Sequence, residues 1–411
     1  MSWKRKVPFA DLYEIPSKNG LTKPSKVRGQ GFKMINMGEL FANDRIYDIS
    51  MELVPLTETE KAKNKIEVGD LLFARQSLVL SGAGKCSIVM DVSPLTVFES
   101  HLIRVRLDKT KANPMFYFYY FASPISPIKS IISQGVQAGI RASDLAGLVV
   151  DWPDIDTQNR IAGILSKYDD LIENNQKQIR LLEEVAERLY KEWFVNLRFP
   201  GYEECEVVED TPVGWSKVGF FDEFDYVRGK SYTSKDLAED GGVLMVNLKN
   251  IKAWGGYKRN VEKHYIGSYK DNQLLQAGDI VMAVTDMTQE RRLVGHCARV
   301  PKFCEKIVFS MDLIKLIPLN ISSDFAYSIL RYDKYGKSIS LLANGVNVLH
   351  LKPDALRQIE LLIPNEYIMK LFTSFVTPCF EKIEKLEDEI DRLSKIRNRL
   401  LPKLMSREIE L

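Results

Sequence analysis

Two long stretches of the chain carry apolar residues at alternating steps of four and three. In residues 156–196 this seam runs through Ile161, Leu165, Tyr168, Ile172, Ile179, Leu182, Ala186, Leu189 and Trp193, with Asn175 at the one polar step. Near the C-terminus a second seam runs through Phe372, Val376, Cys379, Ile383, Leu386, Ile390, Leu393, Leu400 and Leu404, with Arg397 at its polar step. A 4-3 spacing held over several heptads predicts a coiled coil. Asn175 and Arg397 suit polar residues that set its register.

The alternative is that each helix packs on its own domain as an amphipathic surface helix. Each seam is long and narrow, and each helix has a matching helix in the same chain. Pairing of the two helices with each other therefore explains the two seams more simply than separate packing. If a pseudo-two-fold axis relates the two halves, the helices must run antiparallel. Two domains would then lie at opposite ends of a rod about 60 Å long, at about 1.5 Å per residue.

The chain contains an internal repeat: its second half is similar to its first half, at an offset of about 211 residues. GFKMINM at 31–37 aligns with GVLMVNL at 242–248, and VGDLLFA at 68–74 aligns with AGDIVMA at 277–283. Short apolar or alternating runs between Gly, Asn and Pro dominate both copies, and a few helical candidates such as 114–122 interrupt them. We therefore expect two mixed α+β domains, each followed by one long helix.

Charge and composition narrow the class of protein. Residues 1–150 carry 20 Lys and Arg against 14 Asp and Glu, a net charge of +6, and residues 210–364 carry 21 against 18, a net charge of +3. These excesses permit nucleic-acid binding. No apolar stretch has the length of a membrane span, and the N-terminus MSWKRKVPFADLYE lacks the apolar core of a signal peptide. Five cysteines without a CxxC pair argue against disulfides, and we expect a cytoplasmic protein.

Motifs for chemistry are incomplete. SGAGKCS at 81–87 resembles a phosphate-binding loop, but its counterpart, RRLVGHCARV at 291–300, keeps only Gly, Cys and an apolar run, so the motif is a turn and a marker of the duplication. No glycine-rich adenosylmethionine loop and no Asn-Pro-Pro-Phe type motif occurs. His296, Cys297 and Cys304 could hold a metal, but core residues explain them more simply.

The order of these segments resembles the specificity subunits of type I restriction-modification enzymes. The resemblance is carried by DTQNRIAGILSKYDDLIENNQKQIRLLEEVAERLYKEWF at 156–194 and by TPVGWSKVGFFDEFDYVRGKSYTSKDL at 211–237. VGDLLFARQS and AGDIVMAVTD resemble the motif that recurs in each recognition domain of that family. The helix after residue 364 departs from the pattern, since it lacks the Gln-rich start of the first.

The resemblance implies an α+β protein with two tandem-repeated mixed α/β target recognition domains, separated by two long helices that form an antiparallel coiled coil. The expected segments are recognition domain 1 at 1–153, the central helix at 154–200, recognition domain 2 at 201–364 and the C-terminal helix at 365–411. Each domain would read half of a bipartite, asymmetric site in double-stranded DNA, and the helices would set the spacer.

The same resemblance implies a subunit without catalytic activity. It would dock two methyltransferase subunits, which modify adenine N6, and then restriction subunits that cut DNA using ATP. No cofactor is expected on this chain, whereas S-adenosylmethionine, ATP and Mg²⁺ are expected on the partners.

Candidate DNA contacts are polar side chains in loops at matched places of both repeats. Arg and Lys suit guanine edges and phosphates, and Asn and Gln suit adenine. In the first repeat the candidates are Lys18, Asn19, Lys23, Asn36, Arg75, Gln76, Ser77, Lys85, Gln134, Gln137 and Arg141. In the second repeat they are Arg228, Lys230, Ser231, Tyr232, Asn247, Lys249, Asn250, Thr285, Asp286, Arg291, Arg292, Asn344, Asn347 and His350. Asn36 and Asn247 could equally be turn residues chosen for their backbone conformation.

Two other functions fit parts of the sequence. A coiled-coil adaptor that binds no DNA would use the helices to recruit partners and the domains to bind protein or small ligands. A complete enzyme with built-in recognition domains would need a catalytic domain for which the chain has no room.

Overall fold

The computed structural model of the protein describes residues 3, 5–134 and 137–409. The chain divides into two compact units, one formed by Met1–Asn174 with Ile390–Leu411 and the other by Asn175–Glu389. Each unit therefore contains one globular domain together with part of each of two long helices. In the part of the chain so described, no helix has the length and apolarity needed to cross a membrane.

The first unit contains twelve of the described strands and four short helices, followed by the first long helix. Its strands are β1 (Lys6–Pro8), β2 (Tyr13–Asn19), β3 (Phe32–Ile35), β4 (Arg45–Ile46), β5 (Glu52–Val54), β6 (Leu71–Ala74), β7 (Gln76–Ser77), β8 (Cys86–Val89), β9 (Val97–Phe98), β10 (Leu102–Leu107), β11 (Ala138–Gly139) and β12 (Val149–Asp151). Its helices are α1 (Met37–Ala42), α2 (Glu58–Asn64), α3 (Pro114–Ala122), α4 (Ala142–Gly147) and the start of α5 (Ile155–Tyr190).

The second unit has its own set of strands, β13 (Val207–Val208), β14 (Thr211–Pro212), β15 (Ser216–Gly219), β16 (Phe224–Arg228), β17 (Leu237–Ala238), β18 (Val243–Val246), β19 (Lys263–Tyr265), β20 (Leu274–Leu275), β21 (Ile280–Ala283), β22 (Thr285–Asp286), β23 (Cys297–Arg299), β24 (Ile307–Phe309), β25 (Leu313–Pro318), β26 (Leu349–His350) and β27 (Glu360–Ile363). Its helices are α6 (Phe220–Glu223), α7 (Ser323–Tyr332), α8 (Tyr335–Leu341) and most of α9 (Glu366–Met405).

The main sheets of the two units have four strands in the same order, and the first unit adds β4 at one edge. The main sheet has the order β2-β10-β6-β8-β4 in the first unit and β16-β25-β21-β23 in the second. Parallel pairing joins β3 to β9 and β18 to β24, while antiparallel pairing joins β7 to β11 and β22 to β26. In both units a strand near the start of the domain pairs with the last strand, as β1 with β12 and β15 with β27. The internal repeat read from the sequence is therefore a repeat of structure.

The aromatic run at 114–122 forms the buried helix α3 of the first domain. Asn113 caps the helix, since its Oδ1 accepts the backbone N–H of Met115 at 2.8 Å, and Pro114 occupies the first helical position, where no N–H is needed. All six aromatic side chains from Phe116 to Phe121 are buried. The length of the run and its burial agree with a core helix.

Both long helices begin with the same kind of N-cap. A proline, at 153 or 364, precedes a short polar residue whose side chain caps the helix. Asp154 Oδ1 accepts the Thr157 N–H at 2.8 Å, and Asn365 Oδ1 accepts the Ile368 N–H at 2.9 Å. The Gln-rich start of α5 has a structural role, since the buried Gln158 donates to the Pro153 carbonyl at 2.8 Å.

In the first unit the start of α5 lies beside the end of α9. Ile161 and Leu165 share a hydrophobic core with Leu404 and Met405. Further along α5, Asp169 binds the guanidinium of Arg397. Residue numbers on α9 therefore fall as those on α5 rise, and the two helices are antiparallel, as expected of this coiled coil.

The predicted seam residues are buried or half-buried along both helices. Leu165, Phe372 and Leu404 are among those almost fully enclosed. In the second unit a π-helical turn at Lys191–Val195 follows α5, and its Trp193 and Phe194 are buried. The Phe194 ring lies 4.9 Å from the ring of Phe372 on α9, centroid to centroid.

Arg397, the polar residue of the second seam, takes part in a buried network. Asp169, whose side chain is 8% exposed, accepts from Arg397 and from the Tyr119 hydroxyl, the latter at 2.5 Å. A charged pair in such a place contributes to register more than to stability, and loss of one partner leaves the other charge buried and unpaired.

We predict that Arg397→Met lowers the free energy of unfolding by about 2 kcal/mol, less than for a fully buried pair because the Arg397 side chain is partly exposed. The double variant Arg397→Met/Asp169→Leu should recover part of this loss, because it removes the unpaired charge, while the buried Tyr119 hydroxyl loses its acceptor. Urea unfolding measures both. Arg392→Met, an exposed arginine on the same helix, serves as the control and should change stability by less than about 0.5 kcal/mol. A single variant as stable as this control contradicts the role of the network.

Candidate nucleic-acid interface

A pair of loops at one end of the main sheet gathers polar side chains in the first unit. Strand β7 pairs with β11, so that Ser77 lies opposite Ala138 and Gln76 opposite Gly139. The N–H of Ile140 donates to the Arg75 carbonyl at 2.9 Å. These bonds bring Arg75, Gln76 and Ser77 beside the loop that carries Gln134, Gln137 and Arg141.

The second unit joins the matching loops in the same way. Strand β22 pairs with β26, so that Thr285 lies opposite His350. Asn344 and His350 exchange two backbone hydrogen bonds, at 3.0 and 2.8 Å, and Gln289 Nε2 donates to the Val346 carbonyl at 2.6 Å. Two sequence groups separated by about 60 residues thus form one site in each repeat.

A second group of candidates lies at the same end of the main sheet. The register of β2, β10 and β6 places Asn19 opposite Ile103, and Leu102 opposite Ala74, so the 18–23 segment and the 75–77 segment leave the sheet at one end. In the second unit Arg228 lies opposite Ile314, and Leu313 lies opposite Ala283. In each repeat these two groups of candidates therefore lie at the same end of the main sheet.

Exposure separates the candidates into groups. Those that face solvent with amide, guanidinium, imidazole, ammonium or hydroxyl groups are Asn19, Gln134, Gln137, Arg141, Arg228, Ser231, Lys249, Arg292, Asn344, Asn347 and His350. Half-buried side chains on the same loops are Lys18, Arg75, Gln76, Ser77 and Lys230. Asn and Gln can pair with adenine edges, and Arg with guanine edges and phosphates.

Four candidates of the second repeat are buried, and burial does not support DNA contact for them. Asn247 and Asn250 hold a turn, since Asn250 Oδ1 accepts the Asn247 N–H at 2.9 Å. Thr285 donates to Asp312 at 3.1 Å. Asp286 is wholly enclosed and accepts from the backbone N–H groups of the following loop. Burial alone raises the pKa of the Asp286 carboxyl, but the hydrogen bonds outweigh it, and the pKa lies below its ordinary value.

Several other candidates have partners within the protein. Asn36 precedes α1, and its N–H donates to Glu39 at 2.8 Å, which agrees with the turn role left open by the sequence. Lys23 pairs with Glu60 at 2.9 Å, and Lys63 lies near Lys18, whose pKa is lowered by burial first and by nearby positive charges second.

In the second repeat the intramolecular partners are equally direct. The Tyr232 hydroxyl accepts from Lys263 at 2.7 Å. Arg291 donates to the carbonyls of Ser340 and Ala343, at 2.5 and 2.9 Å, and so ties its loop to the end of α8. These two side chains therefore hold the site together and are poor candidates for contacting bases.

The SGAGKCS segment and its counterpart around Gly295 both contain a tight turn. Gly84 and Gly295 both have positive φ, of 75° and 78°. A Cβ at Gly84 would lie 2.8 Å from Ile128 Cγ1, so only glycine fits the close packing. Lys85 pairs with Asp44 at 3.1 Å and donates to the Phe41 carbonyl. This lysine is held by the protein and not presented to a nucleotide.

The conceivable metal cluster near His296 is part of the core. Burial raises the pKa of the Cys297 thiol to about 12, which makes it a weak ligand. Cys304 is exposed on a different segment. No group of three or more His, Cys, Asp or Glu suited to a metal ion occurs among residues 3, 5–134 and 137–409.

The first part of the chain matches a known protein family. Residues 2–184 match the family described as the type I restriction modification DNA specificity domain. Over these residues the chain carries this specificity domain, and along most of its length it is similar to type I restriction-modification specificity subunits. The resemblance read from the sequence is confirmed, and so is the expectation of a non-catalytic subunit, because specificity subunits of these systems are non-catalytic.

Relatives of this specificity subunit extend along most of its length. The type I restriction enzyme MjaIX specificity subunit of Methanocaldococcus jannaschii is 25% identical over 361 residues, which cover 86% of this chain and 82% of the relative. The HindI specificity subunit of Haemophilus influenzae is 23% identical and covers 85% of this chain and 88% of its own.

A solved structure has the same fold. The S subunit of the type I restriction-modification system from M. genitalium superposes with a TM-score of 0.62 at 15% identity, and the match covers 98% of this chain and 99% of that one. The predicted fold class, with two mixed domains and paired long helices, is confirmed.

Three residues beside the candidate loops, Trp254, Leu78 and Met287, were not among the candidates predicted from the sequence. The Trp254 N–H donates to the Arg292 carbonyl at 2.8 Å, and its exposed ring stands edge-on to His296 with centroids 5.5 Å apart. Leu78 and Met287 each follow a short paired strand and face solvent. The signal for the last two was their shared position in the repeat, which a search for polar residues passes over.

His296 provides a test of the packing under these loops. Burial first, and Arg331 second, lower the pKa of His296 to about 4. Because the pKa of the unfolded chain is near 6.5, the unfolded chain takes up the proton first as the pH falls. Stability from neutral His296 is fully present above about pH 6.5 and is lost between pH 6.5 and about 4.

We predict that wild-type protein loses stability relative to His296→Leu over this pH window, as measured by urea unfolding from pH 7 to 4. Val300→Ala, a buried apolar change beside β23, is the control, because its difference from wild type should stay constant with pH. A constant difference for His296→Leu as well would mean that this histidine is not buried in its neutral form.

Proposed function

We propose that this specificity subunit reads a bipartite, asymmetric DNA site, one half with each recognition domain. The observation that carries the proposal is the loop pair at the same end of the main sheet in both repeats, built by β7 with β11 and by β22 with β26. The surrounding side chains differ, with Gln137 and Arg141 in one and Asn347 and His350 in the other. Two readers of one geometry and different chemistry suit two different half-sites.

The helices are proposed to set the spacer between the half-sites. Support comes from their lengths, 36 residues for α5 and 40 for α9, and from the continuous seam that each carries. For this function we keep the proposed boundaries of recognition domain 1 (1–153), central helix (154–200), recognition domain 2 (201–364) and C-terminal helix (365–411).

Two methyltransferase subunits are proposed to dock on the helices, followed by restriction subunits. Exposed apolar residues on the long helices support a docking surface, and Val185 and Ile396 occupy positions 211 residues apart in the repeat. One such position on each helix suits two copies of one partner. We propose that S-adenosylmethionine, ATP and Mg²⁺ bind those partners and not this chain.

A cytoplasmic location is also part of the proposal. The five free cysteines, at positions 86, 205, 297, 304 and 379, support a reducing compartment. Both the DNA substrate and the ATP of the proposed complex are found there.

Charge predicts how the subunit binds DNA. With a net charge of +6 on residues 1–150 and +3 on residues 210–364, we expect weak binding by the subunit alone and a fall in affinity with rising salt. With the methyltransferase subunits bound, affinity for a specific duplex should exceed that for a random duplex by about 10³-fold or more.

Gel-shift titrations of the full chain, with and without the methyltransferase subunits, measure this on both duplexes. The specific duplex is taken from methylated adenines mapped in the native genome by sequencing that detects modified bases. Equal affinity of the complete complex for both duplexes contradicts the proposed function and favours a coiled-coil adaptor.

A further inference from the structure

Exposed apolar side chains stand at the tip of the candidate loop pair in each repeat, Leu78, Val79 and Leu80 in the first and Met287 and Val346 in the second. The strands β6 and β21 run into the two-residue strands β7 and β22, and each of these is followed by a long aliphatic side chain. Leu78 is 85% exposed and Met287 is 76% exposed. Singly exposed apolar residues are common, but these two occupy the same position of the repeat, 209 residues apart.

The turn that presents this residue is built in the same way in both repeats. Ser77 Oγ accepts the N–H of Val79 at 3.2 Å, and Asp286 Oδ1 accepts the N–H of Thr288 at 2.8 Å. In each case the side chain of the last strand residue bonds to the backbone two residues on. The residue between them is therefore the apex of the turn.

Contacts beneath each turn hold the apex away from the core. Asp286 Oδ2 also accepts the backbone N–H groups of Leu293 and Val294, at 2.6 and 3.2 Å. In the first repeat a Cβ at Gly82 would lie 2.3 Å from Ser77 Oγ, so only glycine lets this segment approach the turn. Ser77 and Asp286, predicted from the sequence as DNA contacts, thus position the apex residue instead.

The residues around the apex favour DNA as the molecule that the apex residue contacts. Gln76 precedes Leu78, and the paired loop with Gln137 and Arg141 adjoins it. In the second repeat Val346, which is 89% exposed, lies on the loop that Gln289 joins to the Met287 segment. Amide and guanidinium groups around an apolar tip match a DNA groove, where base edges alternate with thymine methyl groups.

We propose that Leu78 and Met287 are specificity-determining residues that enter a DNA groove and make apolar contact with bases, one in each half-site. This inference rests on the proposed function and names the residues that carry out part of it. Neither residue has polar atoms to bind phosphates, so its contribution falls on the specific complex and not on general affinity.

The test uses the full chain in complex with its methyltransferase subunits. Leu78→Ser and Met287→Ser are each titrated against the specific duplex, a random duplex, and duplexes altered in one half-site. Matched controls are Val68→Ser and Leu319→Ser, exposed apolar residues at the opposite end of the main sheet from the apex. Co-purification with the methyltransferase subunits is measured for every variant.

We expect each apex variant to lose about tenfold or more in affinity for the specific duplex, with random-duplex binding within about twofold of wild type. Discrimination should weaken in one half-site for Leu78→Ser and in the other for Met287→Ser. The controls should match wild type.

Three results overturn the inference while leaving the proposed function intact: apex variants that behave like their controls, loss of assembly with the methyltransferase subunits, and an equal loss on all duplexes. If wild-type complex fails to discriminate between duplexes, the proposed function itself fails, so the two failures can be told apart.

Discussion

Burial of the narrow seam on the two long helices is the constraint on which the rest of the structure depends. In the first unit the start of α5 and the end of α9 complete the core of the domain, with Leu165 and Met405 fully enclosed. In the second unit Trp193 and Phe372 do the same. A domain that uses helix residues as core cannot rotate freely on the helix, because its own apolar surface would be exposed. Ion pairs between each domain and a long helix of the same unit add directional contacts to this packing. Examples are Arg45 with Asp170 at 2.7 Å and Arg259 with Asp388 at 2.8 Å.

A second constraint acts at the end of each main sheet. Two-residue strands leave little backbone pairing to hold a loop, so side chains complete the site. Buried Asp286 accepts backbone N–H groups, Arg291 donates to the end of α8, and glycines with positive φ allow close approach. The scaffold of each loop pair is thereby separated from the residues that face solvent. Exchange of the exposed residues can change what is recognised without disturbing the turn that presents them.

Much of the fold could be predicted because periodicity and repetition are properties of the sequence alone. The seam residues, the aromatic core helix at 114–122 and the duplicated strand order all follow from spacing. The candidate site could be predicted less well, because a polar residue at a strand end can face inward or outward. Thr285 and Asp286 were assigned to DNA by their type, yet they are buried in hydrogen bonds. Leu78 and Met287 were not among the candidates because only polar residue types were sought, although the two share a position in the repeat.

The most direct measurement of the central claim is the position of methylated adenines in cells whose specificity subunit carries residues 1–153 exchanged for those of another family member. Sequencing that detects modified bases compares the recognised site before and after the exchange. Independent reading by two domains predicts that one half-site changes while the other half-site and the spacer length remain. A change in both halves, or in neither, would contradict the account.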